Sequence, residues 1–131
     1  MWLSGLCCAA ALLGLVAPST SQLVGAFMDT SLEPQKLAKL IAIAEEEVNR
    51  ELEDEPNLVK VVRVLRTRSQ VVTGVNYRLR VRVGKTRCEK GEVRAMEVCD
   101  VKPGQRSRVC DVVVYQRPWD DFSRVTRVRC L

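Results

Sequence analysis

The residues from Val75 to Val83 alternate strictly between apolar and polar or basic side chains. Such alternation is typical of a β-strand with one buried face and one solvent-facing face. A second run of apolar and basic residues, from Leu58 to Ser69, precedes it, and Gly74 stands where the two strands would meet. Because glycine permits the positive φ of a tight turn, the pattern predicts a β-hairpin.

The tip of this hairpin is predicted to be Gln70-Val71-Val72-Thr73-Gly74. β-Branched residues are disfavoured in tight turns and gain nothing from exposure, so we expect backbone strain at Val71 and Val72. Two interpretations stay open for this stretch taken alone. The valines either fold back onto the core or insert into a partner.

An amphipathic helix is predicted upstream of the hairpin. Thr30 and Glu33 have the spacing of a capping box, and Pro34 suits a first helical turn. Apolar residues then recur at helical spacing, and Pro56 ends the pattern. The predicted apolar stripe consists of Leu37, Leu40, Ile41, Ala44 and Val48.

Three further strands are expected after the hairpin, over about residues 94–101, 108–116 and 122–130, with residues 84–87 and 89–92 as a polar excursion that holds Cys88. One long N-terminal helix followed by strands linked as hairpins predicts an α+β fold. We expect an antiparallel β-sheet meander wrapped around that helix.

The first residues have the composition of a secretory signal peptide. Leu6 to Val16 is an apolar run too short for an ordinary transmembrane helix, and the small residues Ala17, Ser19 and Ser21 follow it. We expect a signal peptide over residues 1–21, cleaved after Ser21 or Ser19, a single domain over residues 22–131, and a secreted, extracellular protein. The apolar segment 22–28 either packs as a sheet edge or waits for a partner.

Cysteine and histidine usage exclude several kinds of chemistry. Four cysteines remain after the expected cleavage, which predicts two disulfides in an oxidising compartment, with the pairing left open. They are Cys88, Cys99, Cys110 and Cys130. No two of them form a Cys-x-x-Cys pair, so we expect no metal, and we expect no cofactor. The chain has no histidine, which removes the commonest general base and argues against an enzyme.

The chain contains 21 basic and 16 acidic residues, unevenly placed. Acidic residues collect on the predicted helix and basic residues along the later strands. A basic strand face is able to meet heparin-like polyanions or acidic proteins, whereas a sheet face kept soluble by arginine is the default interpretation. Nucleic acid is not an expected partner, because the few aromatic residues are not interleaved with the arginines. Nothing in the pattern indicates a membrane role.

A second exposed tip is predicted at Pro118-Trp119, where a hairpin turn presents a large rigid aromatic side chain. Alternate hairpin tips of a meander lie at the same end of the sheet. Together with Leu23, Val24 and Gly25, the two tips are expected to form one apolar ridge.

In this order and spacing, these motifs closely resemble those of the secreted, two-disulfide (type 2) cystatins. The resemblance rests on Leu23-Val24-Gly25, the helix, residues 70–77, the order of the cysteines and Pro118-Trp119, and it covers essentially the whole expected mature chain. It implies the pairings Cys88–Cys99 and Cys110–Cys130. It also implies reversible, tight inhibition of papain-like (cathepsin-type) cysteine peptidases by a wedge that fills their active-site cleft.

The resemblance implies the wedge residues Leu23, Val24, Gly25, Gln70, Val71, Val72, Thr73, Gly74, Pro118 and Trp119. Some relatives also inhibit legumain through an asparagine after the helix. Here Asn57 lies beyond Pro56, so we do not expect legumain as a partner. The active form is expected to be a monomer, with an inactive domain-swapped dimer as an alternative state. The rival interpretation is a module of the same fold that binds polyanions through Arg78, Arg80 and Arg82, or acts as a pro-region, without inhibition.

Overall fold

A computed structural model of the chain describes Gly14, residues 25–92 and residues 95–131. The expected signal peptide, apart from Gly14, and the predicted site residues Leu23 and Val24 lie outside the described residues. Within the described part of the chain, no helix is long and apolar enough to cross a bilayer.

One helix packs against a five-stranded sheet, as the sequence predicts. The helix α1 spans Pro34–Glu51, and the strands are β1 (Met28–Asp29), β2 (Asn57–Val72), β3 (Gly74–Glu89), β4 (Arg108–Arg117) and β5 (Phe122–Cys130). The strands lie in chain order, and each pairs antiparallel with the next. The predicted meander is therefore confirmed, and Met28 and Asp29 form its short edge strand.

The helix buries one stripe of side chains against the concave face of the sheet. Leu40, Ala44 and Val48 are fully buried, and they meet the inward-facing residues of β3 and β4, such as Leu79 and Val112. Removing this apolar surface from water is the main stabilising term, at about 25 cal/mol per Å². Ile41, predicted to lie on the same stripe, is only partly buried.

The predicted capping box is wrong. The helix begins at Pro34, and its N-cap residue, Glu33, makes no side-chain capping hydrogen bond. The hydroxyl of Thr30 instead shares a hydrogen bond of 2.9 Å with the hydroxyl of Ser69. The Thr67 hydroxyl also donates to the Thr30 carbonyl oxygen at 2.6 Å. Thr30 thus connects the segment after β1 to β2. Its polar groups bond to Ser69 and Thr67 of β2 and not to the first turn of the helix.

The strand β2 does not alternate simply, although β3 does. Its register against β3 shifts between Val61 and Arg63 and again between Val64 and Arg66. Each shift adds a residue to β2, as in a β-bulge. With the two bulges, Val61 and Val64 pack against the core, whereas Arg63 and Arg66 face solvent.

The polar excursion predicted at residues 84–87 and 89–92 is wrong over its first part, because β3 continues to Glu89, and only its end, from Lys90, is a turn. Thr86 is fully buried there, and its hydroxyl donates a hydrogen bond of 2.7 Å to the Leu58 carbonyl oxygen. The Thr86 hydroxyl oxygen in turn accepts a hydrogen bond from the Cys88 N–H at 3.2 Å. Because the donor and the acceptor of this buried hydroxyl are both hydrogen-bonded, burying it costs little free energy. The strand can therefore continue through polar residues.

The strand predicted over residues 94–101 is also wrong. Met96–Val98 form a 3₁₀ turn, and Val101 makes only an isolated bridge to Thr86. Val98 is 62% exposed, so the apolar residues here are not the buried face of a strand. The disulfide that joins Cys99 to Cys88 closes this segment into a short loop. The second disulfide joins Cys110 to Cys130, so the pairing implied by the resemblance is confirmed.

Candidate functional site

The two hairpin tips lie side by side at one end of the sheet. Residue Val75, just after the first tip, pairs with Gln116, just before the second. The β2–β3 turn and the β4–β5 turn therefore project in the same direction from adjacent hairpins. The predicted juxtaposition of the two tips is what the strand register produces.

The first tip is a very tight turn that depends on Gly74. Val72 pairs with Gly74, so Thr73 alone lies between the strands. Gly74 has a φ of 105°, a conformation that residues with a Cβ rarely adopt. A Cβ at this position would lie 2.7 Å from both the Gln116 carbonyl oxygen and the Tyr115 ring. The glycine thus permits both the turn and the close approach of β4.

The strain predicted at Val71 and Val72 is absent. Both valines belong to β2, with Val71 paired to Val75, and the positive φ of the turn is at Gly74. Extended backbone is the conformation that β-branched residues favour. The valines nevertheless stay out of the core, with Val71 70% and Val72 40% exposed. Of the two interpretations of this tip, the structure excludes folding back onto the core.

The second tip, residues 118–121, presents Trp119 to solvent. Trp119 is 62% exposed, and Pro118 beside it is also exposed. Asp121 has a φ of 51°, the one positive value at a non-glycine residue in the described part of the chain. Arg117 braces the turn, since its guanidinium lies 3.1 Å from the Asp120 carboxylate and 4.1 Å from the centre of the Phe122 ring.

A glutamine side chain connects the N-terminal segment to the first tip. The Gln70 amide nitrogen donates a hydrogen bond to the carbonyl oxygen of Gly25, whose φ is 97°. The Gln70 amide oxygen accepts from the Asn76 side chain at 2.9 Å. With Met28 paired to Ser69, the chain before β1 runs along β2 toward the tip. Gly25 thus lies beside the tip, and the positions of Leu23 and Val24 stay a prediction.

Tyr115 joins the two tips, and its role was not predicted. Its hydroxyl donates a hydrogen bond of 2.5 Å to the Thr73 carbonyl oxygen, and its ring packs edge-on against Phe122 at 6.4 Å. Asn76 was likewise missed as a support for Gln70. Tyr115 and Asn76 lie on the side of the sheet away from the helix, close to the hairpin tips. The alternation of each strand together with the nearby turn could have identified them from the sequence.

The surface at this end of the sheet is suited to binding. It combines exposed apolar side chains on short, braced turns, the arrangement that loses little entropy on docking. The described residues contain no cluster of three or more side chains suited to a metal ion.

Comparisons with known proteins agree with this geometry. The Cystatin domain family model matches residues 25–119. Human Cystatin-SA is 30% identical over 109 residues, covering 81% of this chain and 76% of that protein. Bovine Cystatin-C is 31% identical over 116 residues, covering 86% of this chain and 77% of that protein.

Two solved structures share the fold. The salivary cystatin of the soft tick Ornithodoros moubata superposes with a TM-score of 0.68 at 29% identity, covering 82% of this chain and 97% of that one. Dimeric human cystatin F superposes with a TM-score of 0.70, covering 95% and 96%. At 23% identity, the second comparison shows the fold alone.

Proposed function

Because the chain belongs to the cystatin family, we propose that it is a secreted, reversible, tight-binding inhibitor of papain-like cysteine peptidases that occludes their active-site cleft with a wedge. Cystatins are cysteine protease inhibitors and not enzymes, and the chain accordingly has an inhibitory rather than a catalytic role.

One observation carries the wedge. The exposed side chains of Val71, Val72 and Trp119 project from two turns that the Tyr115–Thr73 hydrogen bond holds together. Exposed apolar side chains on a rigid ridge are costly in water and suited to a narrow cleft. Gly25, held by Gln70, lies at the same end of the sheet, and we propose that the residues before it extend along this end. Leu23 and Val24 would then occupy the substrate pockets that precede the scissile position.

The wedge explains inhibition without turnover. Its tips fill the cleft and cover the peptidase's catalytic cysteine, but they present no peptide bond in the orientation that attack requires. Reaction geometry is demanding, since the attacking and attacked atoms must lie about 3–3.5 Å apart and be aligned. The inhibitor therefore dissociates intact, and affinity depends on the buried apolar side chains.

Secretion is supported by the apolar first residues and by the two disulfides, which persist in oxidising compartments. Asn57 pairs with Glu89 at the start of β2, beyond Pro56, which is why legumain stays outside the proposed targets.

Titration of papain with the purified protein and with Trp119→Ala tests the proposal. The substitution should weaken inhibition by about 2–4 kcal/mol, the range for a central aromatic anchor. Since Trp119 is mostly exposed, the melting temperature should stay the same. A matched fall in melting temperature would show that Trp119 supports the fold, and absence of papain inhibition by the unsubstituted protein would refute the peptidase class.

A further inference from the structure

The convex face of the sheet, opposite the helix, is densely cationic. Strand register places outward-facing arginines in three successive cross-strand rows. The first row aligns Arg68, Arg78 and Arg127, the second aligns Arg66, Arg80 and Arg129, and the third aligns Arg63 and Arg82. We call these residues the arginine face. The bulge in β2 between Val64 and Arg66 completes it, because it brings Arg63 opposite Arg82; Arg66 and Arg68 oppose Arg80 and Arg78 in the register that the turn sets.

The acidic groups on this face do not neutralise it. Asp29 pairs with Arg66 at 2.7 Å. Asp111 lies 3.8 Å from Arg78 and 4.0 Å from Arg80. The rows contain eight arginines, and these two aspartates leave an excess of six positive charges. The arginine face is therefore a strong local source of positive potential.

Like charges are placed directly opposite each other in all three rows. Arg63 faces Arg82, Arg66 faces Arg80, and Arg68 faces Arg78. Directly opposed like charges on adjacent strands destabilise a sheet. Partial burial, and then the charges of Arg66 and Arg78, lower the pKa of Arg68. A surface needed only for solubility would be more stable with alternating signs, so the array favours a function over simple solvation.

The spacing suits an extended ligand with repeated anionic groups. Neighbouring side chains lie about 4.8 Å apart across strands and about 7 Å apart along one strand, so the arginine face covers roughly 14 by 14 Å. A shallow cavity of about 200 Å³ opens between Arg78, Arg80, Arg127 and Arg129, with Asp111 also lining it. A planar guanidinium binds oxyanions with two parallel hydrogen bonds, a geometry that a sulfate group also fits.

The face lacks what other polyanion partners need. Single-stranded nucleic acid binds with bases stacked on free aromatic rings. The aromatic ring described next to the arginine face, that of Tyr115, is already packed over Gly74 and edge-on against Phe122. The centre of the face holds Val113 and Asp111 rather than an aromatic anchor of the kind that protein interfaces use.

From this geometry we infer that the arginine face binds a sulfated glycosaminoglycan chain, laid across β2 to β5 with its sulfate groups on successive arginine rows. The inference does not depend on peptidase inhibition, because it concerns the broad side of the sheet and not the hairpin tips. Binding would hold the protein on sulfated polysaccharide while leaving Val71 and Trp119 accessible.

Heparin affinity measured against salt concentration tests the inference, using protein expressed from the full coding sequence in secretory cells. The face variant is Arg78→Gln, Arg80→Gln and Arg82→Gln. The control variant, Lys39→Gln, Arg87→Gln and Arg106→Gln, removes the same charge from exposed residues outside the arginine rows. At about 150 mM salt the face variant should bind heparin about tenfold more weakly, and the control about as tightly as the unsubstituted protein.

The salt dependence gives an independent readout, since each lost arginine–anion contact releases one counter-ion fewer. The slope of log affinity against log salt should fall by about 2–3 in the face variant. Because Arg78→Gln and Arg80→Gln also remove both cations near the Asp111 carboxylate, the melting temperature of each variant is measured to show that the fold is retained. Arg127→Gln with Arg129→Gln, on another strand, should reproduce the loss and serves as the second variant.

Three outcomes would overturn the inference. Equal losses in the face and control variants would show that net charge alone drives binding. Equal affinity for chemically desulfated heparin would remove the sulfate requirement. Tighter binding to single-stranded DNA of matched charge would assign the arginine face to nucleic acid instead.

Discussion

The Tyr115 hydroxyl donates a hydrogen bond of 2.5 Å to the carbonyl oxygen of Thr73, the residue at the apex of the neighbouring hairpin. The two residues are 42 positions apart in the chain. This contact makes the two tips one rigid unit, because Thr73 is the single unpaired residue of its turn and Tyr115 is paired in β4. The geometry of the proposed wedge thus depends on one side chain outside it.

Replacing Tyr115 with phenylalanine keeps the ring and removes this hydrogen bond. We expect papain inhibition to weaken by about 1 kcal/mol, roughly fivefold, with a faster dissociation rate, since the first tip loses its brace. Stopped-flow kinetics would measure the rate. Tyr77→Phe removes a hydroxyl on the helix-facing side of the same sheet and should leave inhibition unchanged. Equal effects of the two substitutions would contradict the bracing role.

Gly74→Ala should damage both the first tip and the fold. The new methyl group would approach the Gln116 carbonyl oxygen and the Tyr115 ring to 2.7 Å, and the φ of 105° is strained for alanine. We expect a loss of about 1–3 kcal/mol from backbone strain, and further loss from the steric overlap. Chemical denaturation would give the free energy of unfolding.

Gly91→Ala is the matched control for that substitution. Gly91 has a similar φ of 92°, but a Cβ there would have no atom within 4 Å. The Gly91→Ala variant should lose only the free energy of unfolding that the strained backbone costs, and it should still inhibit papain. Equal destabilisation by the two substitutions would mean that close packing against β4 does not matter at Gly74.

Partial unfolding should yield a domain-swapped dimer that no longer inhibits papain. If the β2–β3 turn straightens, α1 and β2 of one molecule can pair with β3 of another, and the first tip disappears. Because Val71 and Val72 are unstrained in β2, the short turn at Thr73 is the proposed hinge. Inserting Asn-Gly after Thr73 should lower the dimer fraction seen by size-exclusion chromatography. A dimer with full inhibitory activity would refute this mechanism.

Glu45 should make stability depend on pH in an unusual direction. Burial raises the pKa of its carboxyl above the ordinary 4.5, although the Val61 N–H donates a hydrogen bond to it at 2.9 Å. The folded state then binds more protons than the unfolded state in the window from 4.5 up to the raised pKa. Through this group, stability falls as pH rises across that window.

Glu45→Gln keeps an acceptor for Val61 and removes the buried charge. The variant should melt at a higher temperature than the unsubstituted protein at neutral pH, and the difference should vanish below pH 4.5, where Glu45 is protonated in both states. Glu51→Gln, an exposed position at the end of the same helix, should show no such gain. A difference that grows on acidification would contradict the assigned burial effect.

The local periodicity of the sequence alone determines the main helix, the two faces of β3 and the positions of the hairpin tips. Alternation predicts which residues of β3 face the helix, and helical spacing predicts α1 from Leu37 to Val48. The turn residues Gly74 and Pro118 mark the tips. These features can be derived from the sequence because the facing direction of a side chain depends only on its position within one element.

Tertiary structure decided what depends on pairing between distant residues. The sequence predicted a capping role for Thr30, yet Ser69 and Thr67 claim its polar groups. A strand was expected over residues 94–101, yet that segment forms a disulfide-closed loop.

The bulges of β2 show the same limit most clearly. The bulge between Val64 and Arg66 sets Arg63 opposite Arg82 and so adds the third row of the arginine face. Register is a relation between two strands, and an added residue reverses the side to which every following side chain points. The residue pattern within β2 therefore does not specify its register against β3, which is determined only in the folded sheet.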